Sequence, residues 1–253
     1  MQSRSCRNVK LHIRNCPQYL RPLSACDKGN GSHDIVRHSA ETLYQEILRE
    51  SQLYSVNPLV GCIDNFVPQK TIVEIEAALK AVDLQSAAVA SSTGAVVSEN
   101  RTAENYKIRP GTIPVVEDVT DKIARLFRLK NNLCEYPEFI SYQEGGEFQR
   151  HFDAALSGSM PSRRTDNTAS SQRVFTGVLY LNQDFSGGTT RFPRLDVELQ
   201  PKLGRLAFWQ NTKPGAATVH TLSMHQGCPV TKGNKRIITF WFRDNPWDPV
   251  NIA

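Results

Sequence analysis

His151-Phe152-Asp153 places an imidazole and a carboxylate two residues apart. At a strand end, residues i and i+2 point to the same side, so both side chains can address one ion. A second imidazole, His225, follows 72 residues after Asp153 in another strand-to-turn setting, Met224-His225-Gln226-Gly227. Two imidazoles and one carboxylate make the facial set that suits non-haem Fe(II) and leaves three metal positions open. Those positions would take a chelating cosubstrate and dioxygen. A 2-oxo acid that chelates the metal carries a second carboxylate at its far end, which a buried cation must neutralise. Lys235 lies ten residues past His225, in a run rich in Ile, Thr, Phe and Trp. Alone it reads as a snorkelling surface lysine, and each of the other three as an ordinary surface or core residue. The four together carry the chemistry.

The elements around these residues change character near residue 136. Before it, Glu41 to Tyr54 has a helical period with Leu43 and Ile47 on one face. Asn57-Pro58 breaks it, and Leu59–Val67 reads as a strand turning into a helix from Pro68 to Val82, with Ile72, Ile75, Leu79 and Val82 inward. Gln85–Asn100, rich in Ala, Ser and Val, reads as an exposed or mobile connection. A second amphipathic helix is expected over Val115–Leu129. After residue 136, β-rich runs bounded by Gly, Pro and Asn cover Phe139–Gln143, Phe175–Asn182, Val197–Leu199, Arg205–Gln210, Thr218–Met224 and Arg236–Arg243. Ala154–Gln172 has no period, carries Arg163 and Arg164, and is a candidate lid. Helices followed by strands suggest an α+β fold.

Composition bounds the partners. The 253 residues are 40% hydrophobic and 22% charged, which excludes a fibrous or wholly disordered chain. No apolar run approaches the roughly 18 residues of a membrane span. The net charge is +5, and residues 1–40 hold seven basic and two acidic residues, so the whole excess lies there. Residues 41–253 are formally neutral, which speaks against a nucleic-acid groove. The first 26 residues contain no acid. They read as a solvated, poorly ordered leader, with an organelle transit peptide as the competing reading. Leu11, Ile13 and Leu20 are too interrupted for a secretory signal, so a soluble protein, with the cytoplasm as the first choice of compartment, is expected. The six cysteines form no Cys-x-x-Cys pair, and free thiols are expected rather than a zinc site.

Longer motifs run through the second half. They include Tyr142-x-x-Gly145-Gly146-x-Phe148-x-x-His151-x-Asp153, then Arg173, and Leu179-Tyr180-Leu181-Asn182. Gly187-Gly188-Thr189-Thr190-Arg191-Phe192-Pro193 and Gln200-Pro201-Lys202-x-Gly204 follow. Last comes His225-x-Gly227-Cys228-Pro229-Val230-x-x-Gly233-x-Lys235. With Pro58–Phe66 and Asn100-Arg101-Thr102-Ala103 before them, these segments resemble, in order, the Fe(II)- and 2-oxoglutarate-dependent dioxygenases. Within that superfamily the chain is similar to the catalytic domain of prolyl 4-hydroxylases, over roughly residues 57–247.

The resemblance implies a double-stranded β-helix (jelly-roll) core with N-terminal helices packed against it. It implies Fe(II) on His151, Asp153 and His225. It implies Lys235 on the far carboxylate of 2-oxoglutarate, with Thr190, Tyr180 and Tyr142 lining that pocket. Arg173, Trp241 and Phe148 would lie nearer the primary substrate. O2 would be the second cosubstrate and ascorbate the reductant, and a peptidyl proline would be hydroxylated. The implied layout is a leader over 1–40, a helical extension over 41–56, the catalytic domain over 57–247 and a tail over 248–253. Three positions depart from the family pattern: Thr189 replaces an acid, Phe148 a tyrosine and Arg236 a tryptophan. All bear on the substrate side. A free amino acid or other small metabolite is therefore the alternative substrate, ahead of a nucleic-acid demethylase or a non-catalytic jelly-roll binding module.

Overall fold

The computed structural model describes residues 49–80, 85–86, 88–91, 94–97, 102–156 and 171–245. The expected leader, the tail and the centre of the candidate lid lie outside the described residues. The chain enters as a hairpin, β1 (Gln52–Val56) and β2 (Leu59–Ile63), turning at Asn57-Pro58. This corrects the helix expected to reach Tyr54. Residues 49 and 50 are helical, but Tyr54 sits mid-strand, because Leu53 to Val56 pair with β2. Residues 52–56 of the expected 41–56 extension are an edge strand of the main sheet, and 41–48 lie outside the described residues.

Helix α1 (Gln69–Leu79) follows Pro68 and buries Ile72, Ile75 and Leu79, the three-and-four spacing that predicted it. Three short strands come next, β3 (Gln85–Ser86), β4 (Ala88–Ser91) and β5 (Gly94–Val97), with β4 and β5 forming a hairpin. An irregular connection was expected there; Ala and Val at 88–90 and 95–97 instead pair across the Gly94 end. After β6 (Glu104–Lys107), helix α2 (Pro114–Phe127) opens with proline in its first turn and ends at Arg128 in the left-handed region.

The remaining strands are β7 (Glu138–Tyr142), β8 (Phe148–His151), β9 (Arg173–Tyr180), β10 (Ser186–Gly187) and β11 (Thr190–Phe192). They continue with β12 (Val197–Leu199), β13 (Leu206–Gln210), β14 (His225–Gly227), β15 (Val230–Lys232) and β16 (Lys235–Arg243). The run 218–224 is not the expected strand, as it folds into a 3-10 turn at Thr221–Ser223 capped by the His220 side chain. An antiparallel sheet ordered β1-β2-β13-β9-β16-β7-β6-β3 faces a second ordered β12-β11-β14-β8. The pair is a double-stranded β-helix, and the strands of the second sheet are so short that most escape a periodicity search.

Alternation along the long strands sorts the core into two layers. Phe175, Leu179, Leu206, Phe208, Ile238, Phe240 and Phe242 face outward, under Ile75, Ile123 and Phe127 of the helices. Val178, Tyr180, Ala207, Trp209 and Ile237 face inward, against Phe192 and Leu199 of the small sheet. Both faces of the main sheet are thus covered, which is why its strands read as nearly unbroken apolar runs. Polar side chains on the inner face are the exceptions, and they form the site.

Candidate active site

The register of β8 on β14 sets His225 directly opposite His151. Asp153 follows β8 by two residues. Ligand atoms of the three side chains all lie within 4.8 Å of one another. His151 Nε2 is 3.6 Å from Asp153 Oδ1, and His225 Nε2 is 3.6 Å from Asp153 Oδ2. Each imidazole is oriented by its own backbone. His151 Nδ1 meets the Gln149 carbonyl at 2.7 Å, and His225 Nδ1 meets the Ser223 carbonyl at 2.9 Å. A carbonyl can only accept, so each Nδ1 carries a hydrogen, and both Nε2 atoms sit beside the Asp153 carboxylate. This is the tautomer a metal ligand needs. A borderline divalent ion fits this N,N,O set, and a structural zinc site would want a fourth protein donor.

Electrostatics agree with that assignment. Burial, reinforced by His151, pushes His225 down to about 4, so the ring is neutral near pH 7. Burial alone would raise Asp153, yet His225, His151 and the Arg173 guanidinium hold it well below the usual carboxylate range. The carboxylate is further anchored by Thr176 Oγ1, which donates to Asp153 Oδ2 at 2.7 Å. Asn211 Nδ2 in turn donates to Thr176 Oγ1 at 2.8 Å. Neither residue was singled out from sequence. Thr176, however, shares the period-two face of Val178 and Tyr180, and a polar residue on that face was a usable signal.

The predicted lysine is buried in the same barrel. Lys235 is 4% exposed, and Nζ donates to the Gly188 carbonyl at 2.7 Å. It lies 5.3 Å from the Tyr142 ring centre and 5.6 Å from that of Tyr180. Tyr180 Oη and Thr190 Oγ1 are bonded at 3.0 Å across the two sheets, so the four predicted cosubstrate residues meet at one place in the barrel interior. Gly188 has φ +64°, and a Cβ there would come within 3.0 Å of Lys235 Cδ and 2.9 Å of the Phe185 ring. A glycine is what lets the lysine pass. Thr189, at the departed acidic position, is tied to Glu198 Oε1 at 2.6 Å.

The expected substrate residues are placed less uniformly. Phe148 stacks on His151 with ring centres 3.5 Å apart, so it packs on a metal-ligand candidate. Arg173 forks onto Glu135, with Nε 2.6 Å from Oε1 and Nη2 2.7 Å from Oε2, and lies 4.0 Å over the Trp241 ring. Arg243 Nε reaches the same Oε1 at 2.7 Å, a partner that sequence reading missed. Cys62, Cys134 and Cys228 are free thiols, in line with expectation for the described residues.

Comparison with known proteins finds related chains. Residues 137–243 match the model of the 2OG-Fe(II) oxygenase superfamily. A protein of Acanthamoeba polyphaga mimivirus named as a prolyl 4-hydroxylase is 30% identical over 131 residues, 52% of this chain and 54% of that one. The chain thus spans about half the length of that relative. Prolyl 4-hydroxylase 13 of Arabidopsis thaliana is 28% identical over 210 residues, 77% of this chain and 74% of the relative. The viral collagen prolyl hydroxylase of Paramecium Bursaria Chlorella virus-1, solved as a 2OG complex, superimposes with TM-score 0.55 at 24% identity. The superposition covers 73% of this chain and 95% of the viral one. The matched segment holds both paired sheets' central strands and every residue of the triad, and over it the chain is similar to the 2OG-Fe(II) oxygenases and, among them, to prolyl 4-hydroxylases.

Proposed function

We propose that this protein hydroxylates an unactivated C–H of a peptidyl proline, using Fe(II), 2-oxoglutarate and O2. The observation that carries the reading is the pair of backbone-oriented imidazoles whose ligand atoms cluster with a buried carboxylate, in a barrel that also buries Lys235. The names of the relatives, prolyl 4-hydroxylases and a collagen prolyl hydroxylase, support the choice of proline.

His151, Asp153 and His225 would hold the metal. Bound together, Fe(II) and 2-oxoglutarate supply the oxidising chemistry that turns O2 and a C–H into an alcohol, with succinate and CO2 released. The protein's share is placement and dryness. Thr176 keeps the Asp153 carboxylate in one orientation. Lys235 Nζ would meet the far carboxylate of the cosubstrate, and the Tyr180 and Thr190 hydroxyls would complete its hydrogen bonds. Val178 and Trp209 of the main sheet and Phe192 and Leu199 of the small sheet exclude water from the barrel interior.

On the substrate side, Glu135 and Trp241 hold Arg173 from two directions. Trp241 Nε1 is buried with no hydrogen-bond partner among the described residues. Two donors at one place suit peptide carbonyls. Arg173→Ala is expected to raise the KM for a proline-rich peptide by about tenfold or more, since charged hydrogen bonds contribute roughly 1.5–3 kcal/mol. The KM for 2-oxoglutarate should stay near the parent value, and equal rises in both would assign Arg173 to the cosubstrate pocket instead. The function itself is tested by succinate release with Fe(II) and 2-oxoglutarate across proline-rich peptides, free amino acids and a substrate-free control. Stimulation by free amino acids alone would overturn the peptidyl assignment.

No helix among the described residues is long and apolar enough to cross a membrane.

A further inference from the structure

Lys235 is the first residue of β16 and follows a turn in which Gly233 has φ +82°. Strand ends are where backbones fray, yet this one must hold an ammonium in place. Asn182, 6% exposed, grips the chain on both sides of the lysine. Its Nδ2 donates to the Asn234 carbonyl at 2.7 Å and to Asp184 Oδ1 at 2.6 Å. Its Oδ1 accepts from the Arg236 N–H at 2.8 Å. Asn234 extends the grip to β7, where Nδ2 donates to Ser141 Oγ at 2.9 Å and to the Tyr142 carbonyl at 3.3 Å. Tyr142 is the register partner of Lys235, and its ring is one of the two beside Nζ. None of these bonds is to the lysine side chain.

We propose that the Asn182–Asn234 pair is a positioning device for Lys235, setting affinity for the far carboxylate of 2-oxoglutarate rather than affinity for the metal. The reason is leverage. A buried charge pair is favourable only when its geometry is good, and a shift of the backbone at 235 is carried down the side chain to Nζ. A secondary amide bond in a strand can slip at its end; a carboxamide that binds residues 234 and 236 at once removes that freedom. Asn182 closes the Leu-Tyr-Leu-Asn segment two residues after Tyr180, so one short stretch of β9 and its extension supplies both a pocket wall and the brace.

The inference rests on the cosubstrate role of Lys235 proposed above, and a double-mutant cycle separates the two. The measurement is binding of 2-oxoglutarate and of Fe(II), under argon, to the full chain carrying Asn182→Ala, Lys235→Ala, both or neither. Asn182→Ala is expected to weaken 2-oxoglutarate binding about tenfold when Lys235 is present and less than about twofold when it is absent. Fe(II) affinity should stay within about twofold throughout. Equal losses in both backgrounds, or no loss, would overturn the positioning role. If Lys235→Ala alone leaves 2-oxoglutarate binding unchanged, the cosubstrate reading of the lysine fails first. Asn234→Ala, at a half-buried position, cuts only the link to β7 and covers the case in which Asn182→Ala does not fold. It should shift 2-oxoglutarate binding in the same direction, and parental binding by a folded Asn234→Ala protein would overturn the pair.

Discussion

Alanine at His151, Asp153 or His225 is expected to abolish Fe(II)- and 2-oxoglutarate-dependent succinate release. Three protein donors leave no redundancy at a facial site, because the remaining positions are reserved for cosubstrate and O2. The buried setting sharpens the effect. Asp153 is the one carboxylate in the cluster, and its loss leaves two imidazoles and no anionic donor for a dication. A graded comparison comes from Thr176→Val, which removes only the hydroxyl that orients Asp153. Loss of such an outer partner lowers metal affinity by about 10–100-fold, so the ligand variants must fall further. Trp209 offers a direct readout, since its ring centre is 4.6 Å from that of His225. Quenching of tryptophan fluorescence on Fe(II) addition under argon should saturate in the parent, shift to higher metal in Thr176→Val, and vanish in the ligand variants. Near-parental succinate release by any alanine variant with saturating Fe(II) removes that residue from the ligand set.

Much of this site was legible because its chemistry is local in sequence. His151 and Asp153 are separated by one residue, so strand geometry relates them, and His225 and Lys235 lie ten residues apart in one motif. The helices were legible for a similar reason. Ile72, Ile75 and Leu79, or Val116, Val119, Ile123 and Phe127, repeat on one face of a long segment. The small sheet was not, because β11, β12 and β14 have three residues each and are held by cross-strand partners far along the chain. The same distance hid the supports. Thr176 serves Asp153 from β9, Asn211 serves Thr176 from beyond β13, and Arg243 reaches Glu135 across 108 residues. The segment 218–224 misled, since its β-branched residues were outweighed by the His220 side chain accepting from the Leu222 N–H. Helical period likewise failed at Leu53 and Tyr54, where pairing with β2 decided the conformation.

Lys235→Ala is expected to act on 2-oxoglutarate, raising its KM by at least about a hundredfold. Removing one partner of a buried ion pair costs about 3–5 kcal/mol, and each 1.4 kcal/mol is about a factor of ten in affinity. The setting supports a value in that range. The ammonium is buried, its bonded neighbour is a neutral carbonyl at 2.7 Å, and its other neighbours are the faces of two tyrosines. Lys235→Arg should recover only part, because a planar fork needs the space that Gly188 and Phe185 occupy. Burial lowers the free lysine to about 8, against a small opposing pull from Cys228. The sign of the pH effect follows. Below about pH 8 the free protein already carries the charge, and the bound carboxylate keeps the proton on. Above it, binding must recruit a proton, so the apparent Kd for 2-oxoglutarate should rise with pH, by up to about tenfold per unit. Lys235→Ala should flatten that rise. Calorimetric titration of metal-loaded protein from about pH 7 to about pH 9, which brackets the lysine's lowered range, reads both effects at once. Parental affinity in Lys235→Ala would return the lysine to a structural role, and an unchanged pH slope would assign the titration to another group.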